Sequence, residues 1–223
     1  MIVYGRQPVA ELLRAGRRRA LHVWATKDPG LPFTSATAEE LTARAGTEAH
    51  QGIVAEAEAY HYVHARELLG RDGLVLVLDE VQDPQNLGAI CRTAEVAGAL
   101  GVVIHDRRAA EVTPAVCKAS AGAVEHLAIA RVRNIADFLG EAKAAGSWCY
   151  GAAASGRMSC FEVDWPARVA LVLGGEGKGI RPRVAKACDE LVSVPMRGRL
   201  DSLNVSATAA VLTYLALQRE FRP

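Results

Sequence analysis

LVLVLDEVQDPQNLGAICRTAEVAGALGVVIH, residues 74–105, sets two apolar runs, LVLVLD and GVVIH, on either side of a helical segment. A strand with one wet face would alternate apolar and polar residues. These runs do not, so both of their faces are expected to be covered, as in the parallel sheet of a βαβ unit. The pattern continues through LAIARV, WCYGAAA and VALVLG, strand candidates separated by helical stretches. Upstream, GRQPVAELLRAG reads as a helix, ALHVWA as a strand and GIVAEAE as another strand. TAEELTARAG is a helix in which Thr37 and Glu40 form a capping box. The charged, aromatic stretch EAEAYHYVHARELLGRDG separates the two patterned halves. The expected organisation is therefore a small α/β domain at 1–60, a linker at 61–72 and a larger α/β domain at 73–223.

The chain has 223 residues, 50% of them hydrophobic, and a formal net charge of +1. That suffices for one large or two small cores without a disulfide or metal to hold them. Cys91, Cys117, Cys149, Cys160 and Cys188 lack C-x-x-C pairing and have no histidine at metal-ligand spacing. They read as reduced core thiols, and no metal site is expected. No apolar run reaches the roughly 18 residues of a membrane span, and Arg6 and Gln7 stand where a signal peptide would be apolar. The reading is a soluble, cytoplasmic protein with no membrane partner. Arginines cluster in RAGRRR, RVR, RPR and RGR, beginning at 14, 131, 181 and 197. Such clusters suit bidentate contact with phosphate, or are the surface habit of a GC-rich genome, and net charge does not choose.

Three polar segments follow apolar strands, where open parallel sheets carry their ligand sites. In the first, Asp83 and Pro84 make a turn, Asn86 can cap the helix, and Arg92 lies six residues further on. Six steps of about 100° leave Asn86 and Arg92 on different faces, able to converge only around the helix start. Asn86 is either a plain cap or a site residue. Arg92, among small residues that suggest close helix packing, carries a charge that needs a partner. The second segment, LVLGGEGKGI, allows close backbone approach at its glycines. It fails the Walker pattern, because Val172 stands at the first glycine position and Gly179 follows Lys178. It fails the dinucleotide fingerprint as well, because Ile180 stands at the last glycine position. The third, VPMRGRLDSLNVSATAAVLTYLALQRE, ends a short strand and enters an apolar helix through SLNVS.

Together, NLGAICRTA, LGGEGKGI and VPMRGRLDSLNVSATAAVL resemble, in order and spacing, the three motifs of the SpoU/TrmH family of S-adenosylmethionine-dependent RNA ribose 2′-O-methyltransferases. VYGRQPVAELLRAGR and HQGIVAEAE resemble the start and end of the ribosomal-L30e-like substrate-binding domain of the ribosomal RNA members, shortened between them. For fold, the resemblance implies a parallel-sheet SPOUT domain with a C-terminal deep trefoil knot, preceded by the small L30e-like domain. For activity it implies methyl transfer from S-adenosylmethionine to a ribose 2′-hydroxyl of structured RNA, a guanosine of 23S ribosomal RNA first and tRNA second. A non-catalytic RNA-binding protein of this fold, or a base methyltransferase of the wider knotted superfamily, is the rival. By resemblance Arg92 is the catalytic arginine, with Asn86, Glu176, Ser202 and Asn204 positioning the hydroxyl and Arg92. Backbone at Gly174, Val194 and Leu203 would grip the methyl donor beside Met196, and a side chain at 174 would intrude on the donor. The family also implies a homodimer with the site near the subunit interface.

Overall fold

The computed structural model describes residues 1–107 and 109–221, so the final two residues of the expected 73–223 domain lie outside it. The first part of the chain forms β1 (Ile2–Tyr4), α1 (Arg6–Ala15), β2 (Ala20–Ala25), β3 (Thr34–Ser35), α2 (Ala38–Ala45) and β4 (Ile53–Ala57). These strands make one sheet in the order β1-β4-β2-β3, with β4 antiparallel to both β1 and β2. The capping box stands as read: Glu40 N–H donates to Thr37 Oγ1 and Thr37 N–H to the Glu40 carboxylate. α1 and α2 both stop on left-handed glycines, Gly16 and Gly46, with φ of 61° and 68°. Only glycine takes that conformation without a Cβ penalty.

The second part contributes β5 (Gly73–Asp79), α3 (Pro84–Val96), β6 (Gly101–His105), α4 (Pro114–Ala119), β7 (Ile129–Val132) and α5 (Ile135–Ala144). It continues through β8 (Trp148–Ala152), β9 (Met158–Ser159), β10 (Arg168–Gly174), α6 (Pro182–Ala187), β11 (Glu190–Ser193) and α7 (Val205–Ala216). Its seven strands lie in the order β7-β6-β5-β10-β8-β11-β9, and every pair is parallel. The absence of alternation in LVLVLD now has its cause. Leu74, Leu76 and Leu78 point into a core with residues of α3, α4 and α7, while Val75 and Val77 point the other way, into a core with α5 and α6. Among the described residues, no helix is long and apolar enough to cross a membrane.

The two sheets are joined by buried polar contacts. Arg18, from the RAGRRR cluster, is only 5% exposed: its Nε donates to Glu125 Oε2 at 2.9 Å and its Nη1 to the Glu58 carbonyl at 3.0 Å. Burial works against this charge, but the hydrogen bond and charge of Glu125 outweigh it and hold the guanidinium above its ordinary value. For Arg18, then, neither surface reading applies, whereas Arg17 and Arg19 are exposed. The Tyr60 hydroxyl donates to the Val124 carbonyl at 2.9 Å, and His126 Nε2 lies 2.8 Å from Glu11. Residues 61–72 are themselves packed. Val63 bridges to Ala130, the Tyr62 hydroxyl accepts from Val112 N–H, and Leu68 is buried.

Arg18→Ala strands the Glu125 carboxylate in the interior and should cost about 3–5 kcal/mol, whereas Arg18→Met with Glu125→Leu should cost far less. Urea denaturation of the two variants checks this. Burial pushes the Cys117 and Cys149 thiols up to about 12. At pH 8 they are almost wholly protonated, and the thiolate is the reactive form. A thiol reagent should therefore modify them at the rate of unfolding, which mass spectrometry of a labelling time course measures.

Candidate active site

Because the large sheet is parallel, β5, β10, β8 and β11 all finish at one edge, and the three polar segments leave from there. Gly174 closes β10 directly opposite Asp79 of β5. The chain then turns back over the end of β5: Gly175 N–H donates to the Asp79 carbonyl at 2.7 Å. A Cβ on Gly174 would lie 2.1 Å from the Gly179 carbonyl carbon, and one on Gly175 2.3 Å from the Glu80 carbonyl oxygen. Both contacts are with main chain, which cannot rotate aside. A side chain at 174 thus collides with its own turn, a constraint that precedes any intrusion on a ligand. Gly177 and Gly179, with φ of 76° and 63°, complete the reversal.

Asp79, not singled out in the sequence, and Arg181, there only a member of one of the arginine clusters, hold this turn. The Asp79 carboxylate, fully buried, accepts the Arg181 backbone N–H and the Arg181 Nε–H, each at 2.8 Å. Arg181 Nη1 also lies 3.4 Å from Glu80, which is itself left-handed at φ 63°. The hydrogen bond to Asp79 keeps the Arg181 guanidinium above its ordinary value against the opposing effect of burial. An aspartate ending a wholly apolar strand was the available signal, since a buried carboxylate demands a partner. Its partner stands 102 residues away, beyond the reach of local pattern.

On α3 the cap is Asp83, not Asn86. The Asp83 carboxylate accepts from Gln85 N–H and Asn86 N–H, both at 3.2 Å, with Pro84 at the first helical position, where no N–H is required. Asn86 is released for another contact. It is buried in the first turn, and its side-chain amide donates to the Glu176 carboxylate of the glycine turn. Arg92 is exposed two turns into α3 and has no hydrogen bond or ion pair with any described residue.

The third segment is more open. Val194 is half-buried against the core, whereas Met196, Leu200 and Leu203 are 37%, 80% and 44% exposed. Asn204 caps α7, its Oδ1 accepting from Ser206 N–H at 2.8 Å and from Ser206 Oγ–H at 2.6 Å. The Ser202 hydroxyl donates to Asp201, at 3.3 Å. The structure thus joins Asn86 directly to Glu176, beside Gly174. It leaves Arg92, Ser202 and Asn204 outside that contact, on α3 and the approach to α7, two helices packed against each other. β10 and β11 flank β8, so Gly174 and Ser193 stand about 10 Å apart, two strand spacings. The edge therefore offers a rigid glycine turn on one side and, on the other, exposed apolar side chains leading to a polar helix start. That combination suits a ligand with an apolar ring and charged groups. Among the described residues no group of three or more His, Cys, Asp or Glu side chains could hold a metal ion.

Known proteins share this architecture. A model of the SpoU rRNA methylase family matches residues 73–214, and one described as RNA 2′-O ribose methyltransferase substrate binding matches residues 2–63. The chain is 38% identical over 213 residues to the 23S rRNA (guanosine-2′-O-)-methyltransferase RlmB of Ralstonia nicotianae, covering 94% of this chain and 86% of that protein. Against RlmB of Pseudomonas syringae pv. tomato the identity is 35%, over 97% of this chain and 95% of the relative. The crystal structure of the SpoU methyltransferase AviRb from Streptomyces viridochromogenes in complex with AdoMet superimposes with a TM-score of 0.84 at 25% identity, covering 99% of this chain and 90% of that one.

Gly174→Ala should lower folding stability by roughly 1–3 kcal/mol, the ordinary cost of forcing a group into filled space. Thermal unfolding measures it. A variant as stable as the parent would contradict the backbone contact assigned to the turn.

Proposed function

Since the chain belongs to the SpoU rRNA methylase family, we propose that it transfers a methyl group from S-adenosylmethionine to a ribose 2′-hydroxyl of ribosomal RNA, with a guanosine of 23S rRNA as the target. The observation that carries this reading is the Asn86–Glu176 hydrogen bond, which ties the helix bearing Arg92 to the glycine turn at the carboxyl edge of the sheet. The RlmB names of full-length relatives support the choice of RNA and nucleotide.

The residues present fit the donor. Backbone at Gly174, Val194 and Leu203 would hold it, with Met196 packing alongside; bound there, the sulfonium supplies an electrophilic methyl carbon. What remains is to align and deprotonate a weak nucleophile, work done by positioning more than by covalent participation. Arg92 is suited to bind an RNA phosphate and polarise the hydroxyl. A guanidinium has no lone pair to accept the proton and is a poor base, so the proton goes to another acceptor. Asn86 holds the Glu176 carboxylate in place. Ser202, Asn204 and the start of α7, where Asn204 already takes the Ser206 N–H, face the incoming ligand.

The chain works in the cytoplasm as a homodimer with its sites near the subunit interface, and the 1–60 domain contributes RNA affinity. The C-terminal part forms a deep trefoil knot. Strand order supports this: β10 is inserted between β5 and β8, and β11 between β8 and β9, so late strands enter between earlier ones. Such threading is a rare exception to the connection rules.

Arg92→Ala should cut turnover on ribosomal RNA by on the order of a hundredfold or more. Donor affinity and melting temperature should stay close to those of the parent, because Arg92 has no partner among the described residues to lose. Arg92→Lys should recover little if the planar fork matters. Near-parental turnover in a folded Arg92→Ala protein would refute the assignment, and mapping of 2′-O-methyl sites in RNA from cells with and without the protein tests the target.

A further inference from the structure

The residues after β10 must leave the sheet, reverse, and start α6 within a few positions. Gly175 is tied to the Asp79 carbonyl at the first step, and Arg181 immediately precedes α6 at the last. Both ends of the excursion therefore meet the same residue. Asp79 binds the start of the turn through its main chain and the end through its side chain, which accepts Arg181 N–H and Nε–H at 2.8 Å and lies 2.6 Å from Arg181 Nη2. The carboxylate is wholly buried and paired with the Arg181 guanidinium.

A second observation comes from the backbone. Glu80, immediately after Asp79, adopts φ 63°, a left-handed conformation that a residue with a Cβ rarely takes and that is strained in a non-glycine residue. Its carbonyl oxygen occupies the space that a Cβ on Gly175 would need. The strain lies at the crossing of β5 and the turn, and Arg181 reaches Glu80 as well as Asp79. Between the two tied ends lies Glu176, the residue that receives Asn86.

We propose that Asp79 and Arg181 are positioning residues for methyl-donor binding: their ion pair closes residues 174–181 into the one shape that presents Gly174 to the donor and Glu176 to Asn86. Neither residue needs to touch the donor. The pair acts by limiting the shapes the glycine-rich segment can adopt, because four glycines in six residues otherwise leave it conformationally free. The proposal rests on the methyl-transfer reading for the identity of the ligand, but the closure of the turn can be measured without any ligand.

Arg181→Lys keeps the charge and loses the two-pronged grip; Asp79→Asn keeps the shape and loses the charge. In the full-length protein, both should accelerate amide hydrogen exchange at residues 175–180 while the β5 and β10 amides stay protected. Affinity for S-adenosylmethionine, measured by calorimetry, should fall about tenfold or more, and the donor KM should rise with it. Turnover at saturating donor should change by less than about threefold, since opening the turn lowers the fraction competent to bind and a bound donor holds the turn closed. If Asp79→Asn fails to fold, Arg181→Lys decides, because the Arg181 side chain is 32% exposed and a lysine there can be hydrated. Unchanged exchange in the turn would overturn the closure. Faster exchange with parental donor affinity, or lost turnover with parental donor affinity, would overturn the positioning role. A parental protein that does not bind S-adenosylmethionine would overturn the methyl-transfer reading instead, leaving the exchange measurement to judge the clamp.

Discussion

Two stretches of main chain meet at the carboxyl edge of the large sheet with no room for a side chain between them, and most of the site depends on that contact. The chain leaving β10 crosses the chain leaving β5 so closely that Gly175 admits no Cβ, and folds back on itself so closely that Gly174 admits none. Contact between backbones is less forgiving than contact between side chains, which can move to another rotamer. The crossing accounts for the glycine run and places Glu176 over the first turn of α3, where Asn86 meets it. Had the turn been formed by flexible side-chain packing, the Asn86–Glu176 contact would have no fixed geometry. Electrostatic help in a reaction is effective to the degree that its dipoles are already in place.

The two sides of the edge differ in how far they are committed. On the β5–β10 side the polar groups are hydrogen-bonded to one another: Asp83 caps α3, Asn86 donates to Glu176, and Asp79 receives Arg181. On the β11–α7 side the exposed polar groups bond to near neighbours, Asn204 to Ser206 and Ser202 to Asp201. The segment between carries Leu200 into solvent. One side is a finished wall; the other holds its residues by local bonds that a ligand or partner can exchange for its own at low cost.

Much of the architecture was readable because its causes are local. Runs without alternation gave the doubly covered parallel sheet, and Thr37 with Glu40 gave the start of α2. The two-residue strands β3 and β9 were not readable, since they exist only through pairing with β2 and β11. Asn86 was ambiguous as a cap because Asp83 three residues earlier is as good an acceptor, and the choice depended on whether Asn86 had something else to bind. Arg18 looked like one of six basic or small surface residues, while its burial is decided by Glu125, 107 residues on. The candidate site residues were named through the resemblance of three motifs taken together; the spacing of any one of them did not say which edge of which strand it would share.

Arg18 and Glu125 also bear on how such a chain can change over generations. Each is encoded in a different patterned half, and each is buried against the other. Transplanting the first half onto an unrelated partner would carry a cation into an interior that lacks its anion, and losing the first half would leave the anion behind. A single substitution on either side meets the same obstacle, since unpaired buried charge is worse than either paired charge or a hydrocarbon pair. The two halves are therefore coupled in inheritance. They can diverge freely on their outer surfaces, yet shuffling between lineages requires both ends of the pair to travel together or both to be replaced at once.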